Sequence, residues 1–301
     1  MGLTSPTISV RIRSMATDQV NSKNQVSSKV HRPFKAGVPN LRQYFRDMKS
    51  RKEFVFELSR AERAEEQLDT FFGQLWTVIS PLLSAAIYYL FIFVVQGGHQ
   101  GPEYFLHLVA GIFIFEFVST AAARGSLSIM KAGALINNTS FPRALLPLTD
   151  VLTAFRIFIP SIFIFAIFQI TLGVPIQIEA LQAIPALILI LLFTSGLAMF
   201  ASTAQVYFRD TQALLPFILR LTMFLSPVLY FPEQAKALLD GRFLAVFNPV
   251  FCMVQIFSGS LVRGDTFDLW TWVIAIFWAT ASLVGGFWFL VSREGEFAAR
   301  I

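Results

Sequence analysis

The 301-residue chain is 55% hydrophobic, 15% aromatic and only 14% charged, with a mean hydropathy of +0.61 and a net charge of +5. Soluble domains carry about 25% charged residues, so this chain lacks the polar surface to cover itself in water, and its composition points to an integral membrane protein. A single Cys (Cys252) and 3 His exclude a disulfide framework and a Cys-rich metal site.

Residues 1–38 are rich in Ser, Thr, Asn and Lys without periodicity, and are expected to form a disordered cytoplasmic tail. Residues 1–75 hold 13 Lys+Arg against 8 Asp+Glu, so this segment carries the whole net charge and the remainder is neutral. A basic segment attached to a membrane domain fits the positive-inside rule, and no nucleic-acid partner is expected. The residues before Leu75 are polar, so no secretory leader is expected. Within 39–58, Leu41, Tyr44, Phe45, Met48, Val55 and Phe56 recur near helical spacing among charged residues. That pattern predicts an amphipathic helix on the inner membrane surface, followed by a charged helical stretch over 59–70. Together, 39–74 form the expected cytoplasmic interface region.

Six apolar segments follow, over 75–96, 104–124, 145–172, 183–207, 212–231 and 269–291. Each approaches the roughly 20 residues that span a bilayer. The connections 97–103 and 173–182 lack Lys and Arg, whereas Arg124, Lys131, Arg143, Arg209, Arg293 and Arg300 mark the other side. Both termini are therefore expected in the cytoplasm, with 75–295 as the membrane domain and 296–301 as a cytoplasmic C-terminus. Residues 243–262 are apolar but broken at Asn248-Pro249, which predicts a pair of short re-entrant outer helices before the last span. The expected fold class is all-α: a polytopic membrane protein with six transmembrane helices.

No P-loop, dinucleotide fingerprint, zinc-protease helix or nucleophile elbow occurs. Transport, conduction or scaffolding is left, with no catalytic residue and no metal expected in this chain. Glu116, Arg156 and Arg220 fall inside apolar segments, at a cost of about 2.5–3.5 kcal/mol each if placed centrally. Glu116 could pair with Arg156 or Arg220, or the arginines could snorkel toward the inner surface. Trp76, Tyr88, Tyr89, Tyr104, Tyr207, Tyr230, Trp270 and Trp272 stand near segment ends, where aromatic belts sit. Aromatic faces also stack on sugar rings, so some could line a path for an uncharged polymer.

Local patterns resemble a known family. They are Leu75-Trp76 with Ile79-Ser80-Pro81-Leu82-Leu83; Tyr104 through Gly111; Leu135-Ile136 with Phe141-Pro142-Arg143 and Leu146-Pro147; Tyr207-Phe208-Arg209-Asp210; and Asn248-Pro249. In this order they resemble type-2 ABC transporter permeases of the polysaccharide-export branch, over roughly residues 40–295. The segment Ala61–Gly73 departs from that pattern in being acidic where many relatives are basic.

The resemblance implies the transmembrane subunit of an ATP-driven exporter of lipid-linked polysaccharide in the cytoplasmic (inner) membrane of a bacterium, serving cell-envelope biogenesis. It implies a homodimer, a separate ABC ATPase that binds ATP and Mg, and no cofactor in this chain. ATPase coupling falls by this resemblance to residues 126–141 beside the amphipathic helix, with Met130, Lys131, Leu135, Ile136, Phe141, Arg143, Phe45 and Arg46 as candidates. Tyr88, Tyr89, Phe217, Phe224 and Tyr230 are the candidates for a glycan-facing lining. Arg143→Glu is expected to break ATPase docking without unfolding the membrane domain. The alternatives are an ABC permease for a drug or lipid, a membrane-embedded glycosyltransferase built on Asp150 and Asp210, and an ion channel or proton-coupled carrier.

Overall fold

A computed structural model describes residues 41–51, 53, 55, 57, 59, 75–96, 101–138, 141–231, 233 and 241–301. The expected tail 1–38, the acidic segment Ala61–Gly73, most of the charged stretch 59–70 and Lys236 lie outside the described residues. Among those described, all regular structure is helical. In chain order the helices are α1 (Leu41–Ser50), α2 (Trp76–Gln96), α3 (Pro102–Lys131), α4 (Gly133–Asn138), α5 (Leu145–Thr171), α6 (Ala183–Tyr207), α7 (Thr211–Leu225), α8 (Gly241–Phe247), α9 (Phe251–Val262), α10 (Leu269–Arg293) and α11 (Phe297–Arg300). Short 3₁₀ turns at Ile178–Gln182 and Glu294–Glu296 lead into α6 and α11.

Among the described residues, four helical segments are long and apolar enough to cross a membrane: Pro102–Lys131, Leu145–Thr171, Ile178–Tyr207 and Leu269–Arg300. The apolar stretches Ile79–Val95, Thr211–Leu225 and Phe251–Val262 are shorter. Helices stand where all six spans were expected, but the 15 residues of α7 reach only about 22 Å, against a hydrocarbon core of about 30 Å. The fifth apolar segment stops early for a local reason. Ser226 precedes Pro227 and takes an extended backbone (φ −93°, ψ 154°), as residues before proline do, and the helix cannot pass it.

Three other boundaries differ from expectation. The amphipathic helix breaks after Ser50, where the Ser50 hydroxyl donates to the Asp47 carbonyl at 2.9 Å and Arg51 closes a tighter turn on Met48, and residues 53, 55, 57 and 59 are helical again. Helix α3 continues to Lys131 rather than stopping near residue 124. Arg124 does not end it, because its guanidinium pairs with Asp150 of α5 at 3.6 Å. The C-terminus folds back as α11 instead of trailing away, and its Phe297 is fully buried.

Helix α3 is the central rod, with α5, α6, α9, α2 and α7 packed around it. Small residues allow the close crossings. A Cβ on Gly125 would press on Ala198 of α6 at 2.7 Å, and one on Gly111 would meet Val228 at 3.0 Å. Helices α6 and α10 approach still closer: Gly196 and Gly286 bring backbone against backbone, and Ser282 donates to the Phe193 carbonyl at 2.8 Å. Such small-residue seams are how helices associate where lipid removes the hydrophobic drive between them. Helix α9 lies almost wholly buried against α3, α6 and α10. The break at Asn248-Pro249 is stitched to the end of α7, since Asn248 Nδ2 donates to Ser226 Oγ at 3.0 Å and to the Thr222 carbonyl at 3.1 Å. Gln169 of α5 reaches the Leu261 carbonyl at 2.7 Å and holds the other end of α9.

Candidate functional site

One end of the molecule gathers Lys131, Arg143, Arg293 and Arg300, and is called here the basic end. Its floor is a second apolar cluster of Tyr44, Ile129, Ile136, Phe141, Leu290 and Phe297, among others, separate from the main core. Tyr44 reaches it from α1 because its ring packs edge-on against Phe287 of α10 at 5.8 Å, while Phe45 stacks on the same ring at 5.3 Å. The buried Tyr44 hydroxyl accepts from the Ala144 N–H at 3.3 Å. Burial, and then the neighbouring Glu294 charge, push that phenol well above its ordinary value.

Glu294 is the hub. Its Oε1 accepts from the Arg143 N–H at 2.9 Å, and its carbonyl accepts from the Arg143 guanidinium, which also stands over the Phe297 ring. Burial pulls Arg143 below its ordinary value, and Glu294 opposes that pull. Around the rim, the Tyr207 hydroxyl donates to Glu296 at 2.8 Å, and the Arg293 and Arg300 side chains bond the same carboxylate. Arg300 lies over the Tyr207 ring at 4.4 Å. A Cβ on Gly133 would strike Ile301 at 2.8 Å, so α4 rests on the chain end. The C-terminal turn therefore ties α1, α4, the start of α5 and the end of α6 into one block.

The candidate coupling residues divide within this block. Ile136 and Phe141 turn inward and are buried; Met130 and Leu135 are half-buried against the same cluster. Lys131, Phe45 and Arg46 are exposed, as are Ala134 and Asn137 of α4. Arg143 holds Glu294, so Arg143→Glu would set two carboxylates together and disturb the fold as well as any docking. Sequence reasoning missed Glu294, Phe297 and the hydroxyls of Tyr44 and Tyr207. The run Arg293-Glu294-Gly295-Glu296 directly after an apolar helix was the signal available.

At mid-depth the charges are treated differently. Arg156 donates to Ser59 Oγ at 2.8 Å. Glu116 opens into a groove walled by Pro81 of α2, by Thr120 of α3 and by Ala154, Ile157 and Ser161 of α5. Among the described residues it has no ion-pair partner, so the expected pairing with Arg156 or Arg220 is not made within the chain. Arg220 is exposed on α7 and is likewise unpaired among the described residues. The candidate lining residues fall into two groups. Tyr88 meets Phe224 edge-on at 6.3 Å, with the exposed Phe217 two turns earlier on α7, whereas Tyr89 packs on Phe105 at 5.3 Å. Tyr230 caps α7 by donating to the Leu225 carbonyl at 3.1 Å.

At the opposite end, Arg263 binds Glu233 at 3.0 Å and Asp265 at 2.8 Å, and covers the Phe231 ring at 4.7 Å. That ring contacts His107 and Tyr104 of α3, and the Tyr104 hydroxyl donates to the Leu229 carbonyl at 2.6 Å. Asp150, needed for a carboxylate pair with Asp210, is instead committed to Arg124.

A helical bundle with long apolar crossings and a polar block at one end is the architecture of a polytopic membrane protein. Residues 57–262 match the ABC-2 type transporter family, and the chain belongs to it. It is similar to an O-antigen export system permease protein RfbA of Klebsiella pneumoniae, with 30% identity over 196 residues covering 64% of this chain and 74% of that one. A second Klebsiella pneumoniae protein of that name is 28% identical over 195 residues, covering 64% and 73%. A Myxococcus xanthus protein of the same name is 25% identical over 265 residues, covering 85% and 98%.

Proposed function

We propose that this chain is the transmembrane subunit of an ABC exporter that moves a lipid-linked polysaccharide across the bacterial inner membrane for envelope assembly. The observation that carries this reading is the family match over residues 57–262, in a chain similar over 64–85% of its length to permeases named for O-antigen export. Six spans with both termini in the cytoplasm complete the reading; α2 and α7 cross with the help of neighbours, and α8 and α9 dip into the outer leaflet. The basic end then faces the cytoplasm, as the positive-inside rule requires.

The energy comes from a separate ABC ATPase that binds ATP and Mg. Lys131, Ala134 and Asn137 are the exposed residues of α3 and α4 suited to meet it. Closure of two ATPase subunits would push α4, and the Glu294 block would carry that movement into α1, α5 and α6 together. Two copies of the chain would enclose a passage, with Tyr88, Phe217 and Phe224 offering ring faces on which sugars can slide while their hydroxyls stay hydrated.

The test is extraction of the tagged chain from its host in mild detergent, with identification of what accompanies it. A stoichiometric P-loop ATPase is expected, together with loss of surface glycan when either gene is deleted. A chain that purifies alone under conditions that preserve other complexes, with surface glycan unchanged on deletion, would overturn the proposal.

A further inference from the structure

Helix α1 has two faces that end on different neighbours. Tyr44 is buried and Met48 half-buried, four residues apart, against the apolar cluster of the basic end. Arg42, Arg46 and Lys49 follow one another at spacings of four and three, and all three are exposed. Those spacings set them along one ridge, on the side of the helix opposite Tyr44. Among the described residues, neither Arg46 nor Lys49 has an ion-pair partner. Phe45 stands at the border between the two faces, with its ring 55% exposed.

The seat of α1 decides what that ridge meets. Phe45 stacks on Phe287 of α10, and Tyr44 meets the same ring edge-on. Phe287 lies six residues before Arg293, so it stands about 9 Å along α10 from the charged end, toward the membrane interior. Beside it on α10, Val284 and Trp288 are exposed, and they continue an open apolar stripe from Ile276 and Phe277. An exposed Trp within a turn and a half of the charged end of a span sits where the headgroups begin. Helix α1 is therefore held on the flank of α10, beside lipid. The exposed Lys131, Ala134 and Asn137 belong to different elements, α3 and α4.

We propose that α1 is a binding site for anionic phospholipid. Headgroup phosphates lie along Arg42, Arg46 and Lys49, and the Phe45 ring stands among the first carbons of the acyl chains. A guanidinium offers phosphate oxygens two parallel hydrogen bonds, and Lys adds a compact charge. A basic ridge bordered by an aromatic ring is how a helix lies in the interface, and its hold on anionic lipid weakens with salt. Phe45 and Arg46 thus serve the bilayer rather than the ATPase. The charge of the leaflet then bears on how firmly α1 is seated against α10. This inference rests on the reading of the basic end as lying at a membrane surface, and not on which surface it is.

The test places the full-length chain in nanodiscs of phosphatidylcholine, with or without phosphatidylglycerol, and reads hydrogen exchange of the α1 amides. Exchange over Leu41–Ser50 should be several-fold slower with phosphatidylglycerol, and high salt should remove the difference. Arg46→Gln together with Lys49→Gln should abolish the lipid response and leave exchange in α3 and α6 unchanged, since both side chains are exposed. Arg46→Lys, which keeps the charge, should retain most of it. Equal exchange in the two bilayers, or a response that survives in the double Gln variant, would overturn the site. A double Gln variant that loses a co-purifying ATPase, from a parent with no lipid response, would assign the ridge to a protein and overturn it as well. Both leaflets of the disc are alike, so the response is read whichever side α1 faces. A reversed orientation, found by labelling of introduced cysteines in cells, would overturn the topology proposed above and leave the lipid site standing.

Discussion

The seam between α6 and α10 and the open face formed by α2 and α7 are built from similar residue types but end differently. At the seam, glycines bring backbone against backbone, and a serine hydroxyl closes on a carbonyl. On the open face, leucines and phenylalanines stand exposed beside Arg220, which has no partner among the described residues. Both regions are apolar, so hydropathy does not separate them. What separates them is side-chain size at the crossing and whether each polar atom already has a partner. A surface of small residues is complete within one chain, whereas a surface of large residues and a free charge is completed by something else.

The largest effect should come from closing the seam with a side chain. Gly286→Leu would drive carbon into the backbone of Gly196, where nothing flexible can yield. The expected cost exceeds the about 1–3 kcal/mol of ordinary overpacking. Little or no monodisperse protein should survive detergent extraction, as read by size-exclusion chromatography. Leu221→Ala on the open face should leave the yield of the chain unchanged, and equal losses from the two substitutions would erase the distinction between the regions.

The next effect belongs to the basic end, where Glu294 Oε1 and the Arg143 N–H and guanidinium are held in hydrogen bonds within the chain. Glu294→Ala removes the carboxylate that accepts from the Arg143 N–H and takes its charge away from the half-buried guanidinium, which keeps the backbone carbonyl of residue 294. Hydrogen bonds to charged groups contribute about 1.5–3 kcal/mol, so thermal unfolding should move down by several degrees. Glu296→Ala, at the exposed rim, should move it little. A Glu294→Ala protein as heat-stable as its parent would show that the block is not held by this hub.

Much of the fold was legible because long apolar runs have few alternatives. All six expected segments became helices, and the Asn248-Pro249 break did separate two short ones. Boundaries failed where a residue's local meaning was overruled by a distant partner. Arg124 reads as the end of a span, yet Asp150 lets it continue to Lys131. The six residues after 295 read as a tail, yet Phe297 finds a buried site that a span count does not reveal. For the candidate sites, residue type was informative and direction was not. Ile136 and Phe141 face inward while Lys131 and Asn137 face out, a choice set by tertiary packing against Ile129 and Phe297.

Tyr44→Phe isolates one atom of the basic end. The ring contact with Phe287 is kept, while the acceptor for the Ala144 N–H and the hydroxyl's link to Glu294 are lost. A single neutral hydrogen bond contributes about 0.5–1.5 kcal/mol, so the global unfolding temperature should fall slightly. The more sensitive readout is local. Helix α1 should become more open to protease cleavage after Arg42, Arg46 or Lys49 while α3 and α6 stay protected. Unchanged cleavage would mean that the aromatic contacts of Tyr44 and Phe45 hold α1 without the hydroxyl.

The smallest stability effect sharpens the comparison most. Phe217 is 71% exposed on the open face, so Phe217→Ala removes little burial within one chain. Its effect on unfolding should lie within about 0.5 kcal/mol. If the ring served only as lipid-facing surface, export of the glycan would be equally indifferent. If it forms part of the passage, losing one flat face should slow export in whole cells while ATPase association and protein level stay constant. Phe217→Tyr, which keeps the face and adds a hydroxyl, should recover most of the rate. Phe277 on α10 is also exposed, and Phe277→Ala provides the contrast, since it should alter neither stability nor export. Equal slowing by both substitutions would place the effect in the lipid and remove the α2–α7 face from the path.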